Sequence, residues 1–412
     1  TGVLKGGIIM KKSQSPGKGT CSVWAGEEEY LMQNATQVPV VHSVSFGYKN
    51  VNHWQQVALG ERKGHIYSRN TNPTVEVFEN KICNLEGAHA ATSASTGMGI
   101  ISSTLFALLL PDQKVVSVKD TYGGTNKIFT EFLPRINVKV TLCDTTDHEA
   151  IEDEIARGCD LLYLETPTNP TIKIIDLARL SRAGKNSGAV VVVDNTFATP
   201  INQLPLDLGA DLVLHSATKF LGGHADALGG VVCGNKELIK QIYHYREING
   251  ATLDPMSAYL LLRGMKTLAL RIERQNQNAI EISQYLNSHP KIERVFYPGL
   301  KTHKGHLIAK SQMKGFGSML SFMLKEDTLK AVGTVIDNLK YAHSAANLGA
   351  VETIVGPPAT TSHVECSKEE RLKMGIPESL IRYSTGIENI EDLIDDLDNA
   401  LSKLPGLKKE TH

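Results

Sequence analysis

Apolar residues along the chain fall into two kinds of pattern. Between Gly87 and Gly234, short runs of β-branched and aliphatic residues, apolar throughout rather than alternating, are separated by helical stretches: Lys114 to Val118, Val138 to Leu142, Leu161 to Glu165, Ala189 to Asp194, Leu212 to Ser216 and Gly230 to Cys233. Strands that are apolar on both sides must be covered on both faces. This stretch therefore predicts a mostly parallel sheet between helical layers, with ligands at the carboxyl ends of its strands. Past residue 255 the period changes. Leu260, Leu261, Met265, Leu268 and Ile272 recur at helical spacing within one predicted helix from Met256 to Leu286. A smaller domain is expected to follow, with strands at Ile292 to Tyr297 and Gly317 to Met323. A helix apolar at Ile390, Leu393, Ile394, Leu397 and Leu401 closes it, its charged face solvated. Before residue 66, glycine and polar residues prevail without periodicity, which predicts an arm that packs on something else. The expected division is an arm over 1–66, a large α/β domain over 67–265 and a smaller α/β domain over 266–412.

Composition narrows the class. The chain has 412 residues, 41% hydrophobic, enough for a large core and more than one domain. Its 43 basic and 44 acidic residues are interspersed, so no field gathers nucleic acid or an anionic membrane, and the expected partners are small molecules or further copies of the chain. The cysteines Cys21, Cys83, Cys143, Cys159, Cys233 and Cys366 include no CxxC pair, which argues for reduced thiols in a cytoplasmic protein and against a disulfide framework or a metal site. They read as core filler or incidental surface thiols. No apolar stretch approaches the roughly 18 residues that span a bilayer, and no signal peptide is expected. Asn34-Ala35-Thr36 matches a glycosylation sequon by chance, and Met10-Lys11-Lys12 is the expected natural start.

Candidate chemistry lies at the strand ends. Asp194 closes the run Val190-Val191-Val192-Val193, where a carboxylate must find a partner or stand exposed at the sheet edge. Ser216-Ala217-Thr218-Lys219 sets two hydroxyls and an amine before a loop with Gly222, Gly223, Gly229 and Gly230. An amine and a carboxylate brought to one sheet edge by two buried strands are what a pyridoxal phosphate (PLP) site requires. The amine makes a Schiff base with the aldehyde, and the carboxylate keeps the ring nitrogen protonated so that the ring accepts carbanion electrons. Ser93-Ala94-Ser95-Thr96-Gly97-Met98-Gly99, ahead of the apolar Ile100 to Leu110, fits a helix start open to a phosphate. Each signal has a plain structural alternative: an ordinary helix N-cap in the 93–99 stretch, another at Asp194, a solvated loop lysine at 219. Gly17-Lys18-Gly19-Thr20 lacks the spacing and the strand of a P-loop and is set aside.

Four motifs join these residues: Tyr67-Ser68-Arg69-Asn70-Thr71-Asn72-Pro73-Thr74, Glu165-Thr166-Pro167-Thr168-Asn169-Pro170, Asp194-Asn195-Thr196-Phe197 and Ser216-Ala217-Thr218-Lys219. In order and spacing, from about residue 36 to residue 404, they resemble the Cys/Met-metabolism PLP enzymes, the cystathionine γ-synthases, γ-lyases and their relatives. The resemblance implies a fold type I, aspartate aminotransferase-like PLP-dependent transferase fold, with a mostly parallel seven-stranded large domain and a smaller α/β C-terminal domain. By the same resemblance Lys219 would hold PLP and shuttle protons, and Asp194 would pair with the ring nitrogen. Gly97, Met98, Ser216 and Thr218 would bind the phosphate, and Asn169 would sit near the phenolic oxygen. Tyr122 would stack on the ring and assist proton transfer. Tyr67 and Arg69 would reach the phosphate in a neighbouring subunit, so the expected assembly is a homo-oligomer, a tetramer, with shared sites and an arm contacting the neighbour. Arg382 would clamp the substrate carboxylate bidentately, with Asn347 and Ser362 also at the substrate.

Departures from the family pattern bear on the reaction. Ala346 and Asn347, in Ala345-Ala346-Asn347-Leu348-Gly349, stand where many cystathionine-handling members carry Glu-Ser, an arrangement shared with many O-acetylhomoserine sulfhydrylases. Gly124 stands where methionine γ-lyases typically carry cysteine, Lys127 where cystathionine γ-lyases commonly carry arginine, and Ser362 in place of the more usual threonine. The expectation is γ-replacement on an O-activated L-homoserine by a thiol such as cysteine, through a vinylglycine-type intermediate. The alternatives are γ-elimination to 2-oxobutanoate, ammonia and a thiol, O-acetylhomoserine sulfhydrylation, and γ-replacement by a non-thiol nucleophile in a specialised pathway. A non-catalytic scaffold would have no need of Lys219, Asp194, Tyr122 and Arg382 together.

Overall fold

The computed structural model describes residues 16–27, 34–361, 364 and 367–405. Seven strands form the larger sheet: β1 (Ala90–Ala94), β2 (Lys114–Val118), β3 (Lys139–Cys143), β4 (Leu161–Glu165), β5 (Val190–Asp194), β6 (Leu212–Ser216) and β7 (Gly230–Gly234). Their order is β1-β7-β6-β5-β4-β2-β3, and β7 alone runs against the rest. The apolar runs became the central strands as expected, because residues such as Val191, Val192 and Val193 are fully buried and no face is left for water. Each valine so buried stabilises the fold by about 1.5–3 kcal/mol before the entropy of ordering it. Sequence pattern missed β1, Ala90-Ala91-Thr92-Ser93-Ala94, whose small and polar residues carry no apolar run.

The smaller sheet has the order β10-β11-β12-β9-β8, from β8 (Ile292–Phe296), β9 (Met319–Leu324), β10 (His343–Ser344), β11 (Ile354–Gly356) and β12 (Leu380–Ser384). Its core joins Leu320, Phe322, Ile381 and Tyr383 to Leu393, Leu397 and Leu401 of the helix Ile390–Ser402.

The single helix expected from Met256 to Leu286 is two helices, Pro255–Met265 and Leu268–Ser288. The break has a packing cause. Gly264 lies so close to the Gly222 carbonyl that a Cβ would collide with it, and the turn lets the buried Arg271 reach back. Its guanidinium donates to the carbonyls of Phe220 (2.9 Å), Leu221 (3.3 Å) and Gly264 (3.0 Å). Periodicity ran through the break because both helices bury the same side against the large domain.

Within the expected arm, the helix Lys18–Trp24 packs on its own chain, against Pro73–Glu86 and Leu268–Ser288. Lys18, from the discarded glycine-rich stretch, donates to the Leu85 carbonyl. The buried Lys81 ammonium fastens the segment, donating to Glu27 Oε1 (2.6 Å) and to the carbonyls of Ser22 and Val23 (3.0 Å each), while Lys266 reaches Glu27 Oε2 (2.8 Å). Lys81→Ala would leave Glu27 with Lys266 alone and the Ser22 and Val23 carbonyls without their donor. It is expected to cost about 1–3 kcal/mol in denaturant unfolding, and a loss too small to measure would mean that these bonds do not hold the segment down.

Candidate active site

The carboxyl ends of β4, β5 and β6 carry Glu165, Asp194 and Ser216. Glu165 and Asp194 are direct partners across β4 and β5, and Asp194 pairs with Leu214, two residues before Ser216. Side chains two apart share a face, so the three stand in a row on one side of the sheet. That side is packed by the helix Gly97–Leu108, through Ile100, Ile101 and Leu105.

Asp194 is 7% exposed, and its hydrogen-bond partners are neutral: the Thr196 amide at 3.0 Å and the Tyr163 hydroxyl at 3.4 Å. Burial pushes its carboxyl above the ordinary range. Glu165, 5% exposed, is raised well above it, first by burial and then by the charge of Asp194. Among the described residues no cation hydrogen-bonds Asp194, and His215, whose charge would lower it, is itself held by Glu86 at 2.6 Å, so the carboxyl fits a protonated ring nitrogen brought by a ligand. Thr196 serves twice, since its hydroxyl also accepts the Ser216 amide at 2.9 Å and so ties the ends of β5 and β6 together.

The phosphate end fits equally. Thr96 caps the helix by accepting the Gly99 amide at 2.9 Å, leaving the Gly97 and Met98 amides without an intrahelical acceptor. Gly97 lies against Ser216 so closely that a Cβ would stand 2.8 Å from the serine Cβ and Oγ, and Gly230 likewise leaves no room for one beside the Thr96 carbonyl. The Ser216 hydroxyl has no hydrogen-bond partner among the described residues, whereas the Thr218 hydroxyl accepts the Gly229 amide at 3.1 Å.

Lys219 follows on a turn whose next carbonyls, at Phe220 and Leu221, are the ones Arg271 holds. Its Nζ donates to Asn347 Oδ1 at 2.8 Å. Burial, and after it the nearby Arg382 guanidinium, push the amine down to about 8. Arg382, on β12, is 7% exposed and donates to the Asn347 carbonyl (2.9 Å) and Asn169 Oδ1 (3.4 Å). Among the described residues it has no carboxylate partner, so the buried guanidinium is ready for an anionic group from outside.

Tyr122 is 47% exposed, and its amide donates to Glu165 Oε2 at 2.8 Å. Met98 lies beside the Tyr122 loop: a Cβ on Gly124 would stand 2.8 Å from the Met98 sulfur and 2.9 Å from the Tyr122 ring. The structure thus gathers Lys219, Asn347, Arg382 and Asn169 into one hydrogen-bonded group, and Asp194, Ser216 and Gly97 beside it. It does not bring Tyr67 and Arg69 there within the chain. Arg69 donates to the Glu247 carbonyl at 2.6 Å and stacks on Tyr67, 5.6 Å from its ring centre. Ser362 lies outside the described residues. Sequence reasoning gave no role to Glu165, Thr196 or Arg271. The first two sat inside quoted motifs, but the signal for Arg271, an arginine on the apolar side of a helix, was overlooked.

A family model for the Cys/Met metabolism PLP-dependent enzymes matches residues 19–402. An L-methionine γ-lyase of Fusobacterium nucleatum subsp. polymorphum is 44% identical over 94% of this chain and 98% of its own, and a cystathionine γ-lyase of Bacillus subtilis is 41% identical over 88% and 95%. The crystal structure of cystathionine γ-synthase from Xanthomonas oryzae pv. oryzae, in complex with aminoacrylate and cysteine, superposes with a TM-score of 0.89 at 37% identity over 94% of this chain and 98% of that one. Lyases and synthases alike share the architecture, so likeness alone does not choose the reaction. By that model and these relatives the chain belongs to the Cys/Met metabolism PLP-dependent enzymes of trans-sulfuration, and its cofactor is pyridoxal phosphate.

Proposed function

We propose that the enzyme catalyses γ-replacement on an O-activated L-homoserine, with a thiol such as cysteine as the incoming nucleophile. The observation that carries this reading is the environment of Lys219 and Arg382. Lys219 donates to the Asn347 side-chain carbonyl and Arg382 to the Asn347 backbone carbonyl, with Ala346 beside it in the chain, and among the described residues no carboxylate hydrogen-bonds either one. Such a site suits a substrate with one carboxylate for Arg382 and an uncharged γ-substituent, as an O-activated homoserine has. γ-Elimination is the second reading, favoured by the lyases among the relatives at 44% and 41% identity.

The bound cofactor supplies an electron sink that lowers the barrier to removing a proton from the α-carbon. Arg382 would take the substrate carboxylate, its plane fixed by Asn169 and the Asn347 carbonyl. Lys219, with an amine already pushed down to about 8, would be free of its proton in useful amount near neutral pH. It would take the α-proton, pass it on before taking a β-proton, and protons would return to both carbons after the nucleophile has added at the γ-carbon, the thiol's own proton leaving with the γ-substituent. Asn347 would hold the amine between these transfers, and the Tyr122 hydroxyl would assist. Tyr67 and Arg69 would complete the phosphate site of a neighbouring subunit, with the arm at 1–66 lying between a large domain (67–265) and its neighbour, and 266–412 as the smaller domain. A cytoplasmic homotetramer is the assembly in keeping with this; among the described residues no helix is long and apolar enough to cross a membrane.

Incubation with O-acetylhomoserine and cysteine is expected to yield a thioether faster than 2-oxobutanoate forms from cystathionine or methionine; the reverse order assigns the enzyme to elimination. Capture of added PLP by the cofactor-free enzyme, followed by absorbance, should accelerate as pH rises through about 8, because only the unprotonated Lys219 amine attacks. Arg382→Leu removes a positive charge that helps depress that amine, so the rise should move to higher pH, and an unmoved profile would show the two groups to be uncoupled. Mixing Arg69→Ala with Lys219→Ala should restore activity that neither variant has alone; no recovery after subunit exchange would mean that each site is built within one chain.

A further inference from the structure

Glu165 closes β4 beside Asp194 and has so far been given no task. Its position in the row is fixed by strand register, not by a flexible loop. The charged and titratable groups that face it are Asp194 on β5, Asp120 in the loop after β2 and Tyr163 on its own strand. Asp120 is already paired, since Lys173 Nζ reaches both its oxygens at 2.8 and 2.9 Å. Among the described residues no cation hydrogen-bonds Glu165, and His215, whose charge would lower Asp194 from β6, is itself held by Glu86 at 2.6 Å. Two buried carboxyls paired across adjacent strands raise each other's proton affinity, which favours one proton held in the row.

The partners of the two carboxyls decide where that proton stays once the cofactor is bound. Asp194 faces the ring nitrogen and gains a positive partner. Glu165 instead accepts the backbone amide of Tyr122 at 2.8 Å, a bond that a neutral carboxyl oxygen makes as well as a charged one. We propose that Glu165 is a positioning residue that works as an uncharged carboxylic acid, holding the Tyr122 backbone at the site and leaving the row's single negative charge on Asp194 for the cofactor. The upward displacement of Glu165, through burial and its charged neighbour, agrees with this. Tyr122 is the N-cap of the helix that starts at Gly123, its side chain makes no capping bond, and its amide is held by Glu165. The inference rests on the bound cofactor and is indifferent to which γ-reaction the enzyme performs.

The test uses the purified holoenzyme and needs no substrate. The dissociation constant for PLP is measured by equilibrium dialysis, and the ring's seating is read from visible circular dichroism per mole of bound cofactor. Glu165→Gln keeps the acceptor and is always neutral, so both readouts should stay within about threefold of the parent, well inside the worth of one hydrogen bond. Glu165→Ala removes the acceptor, and should weaken cofactor binding about tenfold and lower the visible dichroism, as loss of one buried hydrogen bond implies. If the alanine chain fails to fold, Glu165→Asp, a carboxyl one methylene too short to reach the Tyr122 amide, carries the same expectation. Glutamine weakening the cofactor as much as alanine does would overturn the neutral-acid role. Alanine and aspartate variants that match the parent in both readouts would overturn the positioning role.

Discussion

Asp194 is a carboxylate at the end of a fully apolar strand, with only an amide and a tyrosine hydroxyl to receive it. In water such a group is charged at no cost; at the end of β5 its charge is disfavoured until a cation arrives. Everything around it bears on that one imbalance. β4 and β6 hold it in register, Thr196 orients one oxygen, and Tyr163 contacts the other from the neighbouring strand. On the proposed reading, a protonated ring nitrogen would satisfy the site in a way no described residue does, so cofactor binding and the burial of Asp194 would be one energetic event.

The second constraint is backbone proximity. The helix Gly97–Leu108 can bring its amino end to the phosphate only if it comes down onto β6 and β7, and it does so at Gly97 against Ser216 and at Thr96 against Gly230. Side chains at either glycine would lift the helix away. The same economy of space recurs at Gly264 against Gly222, which lets Arg271 hold the carbonyls that follow Lys219. The Lys219 amine is thus placed by a helix break some 45 residues further along the chain.

Much of this was legible in the sequence because buried parallel strands leave an unmistakable trace, and because functional groups in such a sheet sit where the apolar runs stop. Asp194, Ser216 and Lys219 were found that way. β1 was not, since its alanines, threonine and serine look like a loop; its pairing with β7 is set by neighbours, not by its own pattern. The break after Met265 was hidden because the apolar side continues across it. Glu165 was quoted but not used: only the register of β4 on β5 turns a residue 29 positions before Asp194 into its direct neighbour. Tyr67 and Arg69 carry a role by resemblance that no contact within one chain expresses, since their own partners lie on each other and on Glu247.

The cations of the site show how the same parts would respond when a substrate enters. Arg382 helps keep Lys219 unprotonated, and the two are linked through Asn347, whose side chain takes the amine and whose carbonyl takes the guanidinium. On the proposed reading, a substrate carboxylate at Arg382 would neutralise one of the two charges. That would remove part of what depresses the amine, so Lys219 would become a stronger base when the proton to be taken is in place, while burial would keep it from rising to the value of a free lysine. Asn347 then has a reason to be an amide: a carboxylate there would pair with the amine and hold it protonated, whereas a neutral acceptor orients it and leaves its proton affinity to be set by Arg382 and the substrate.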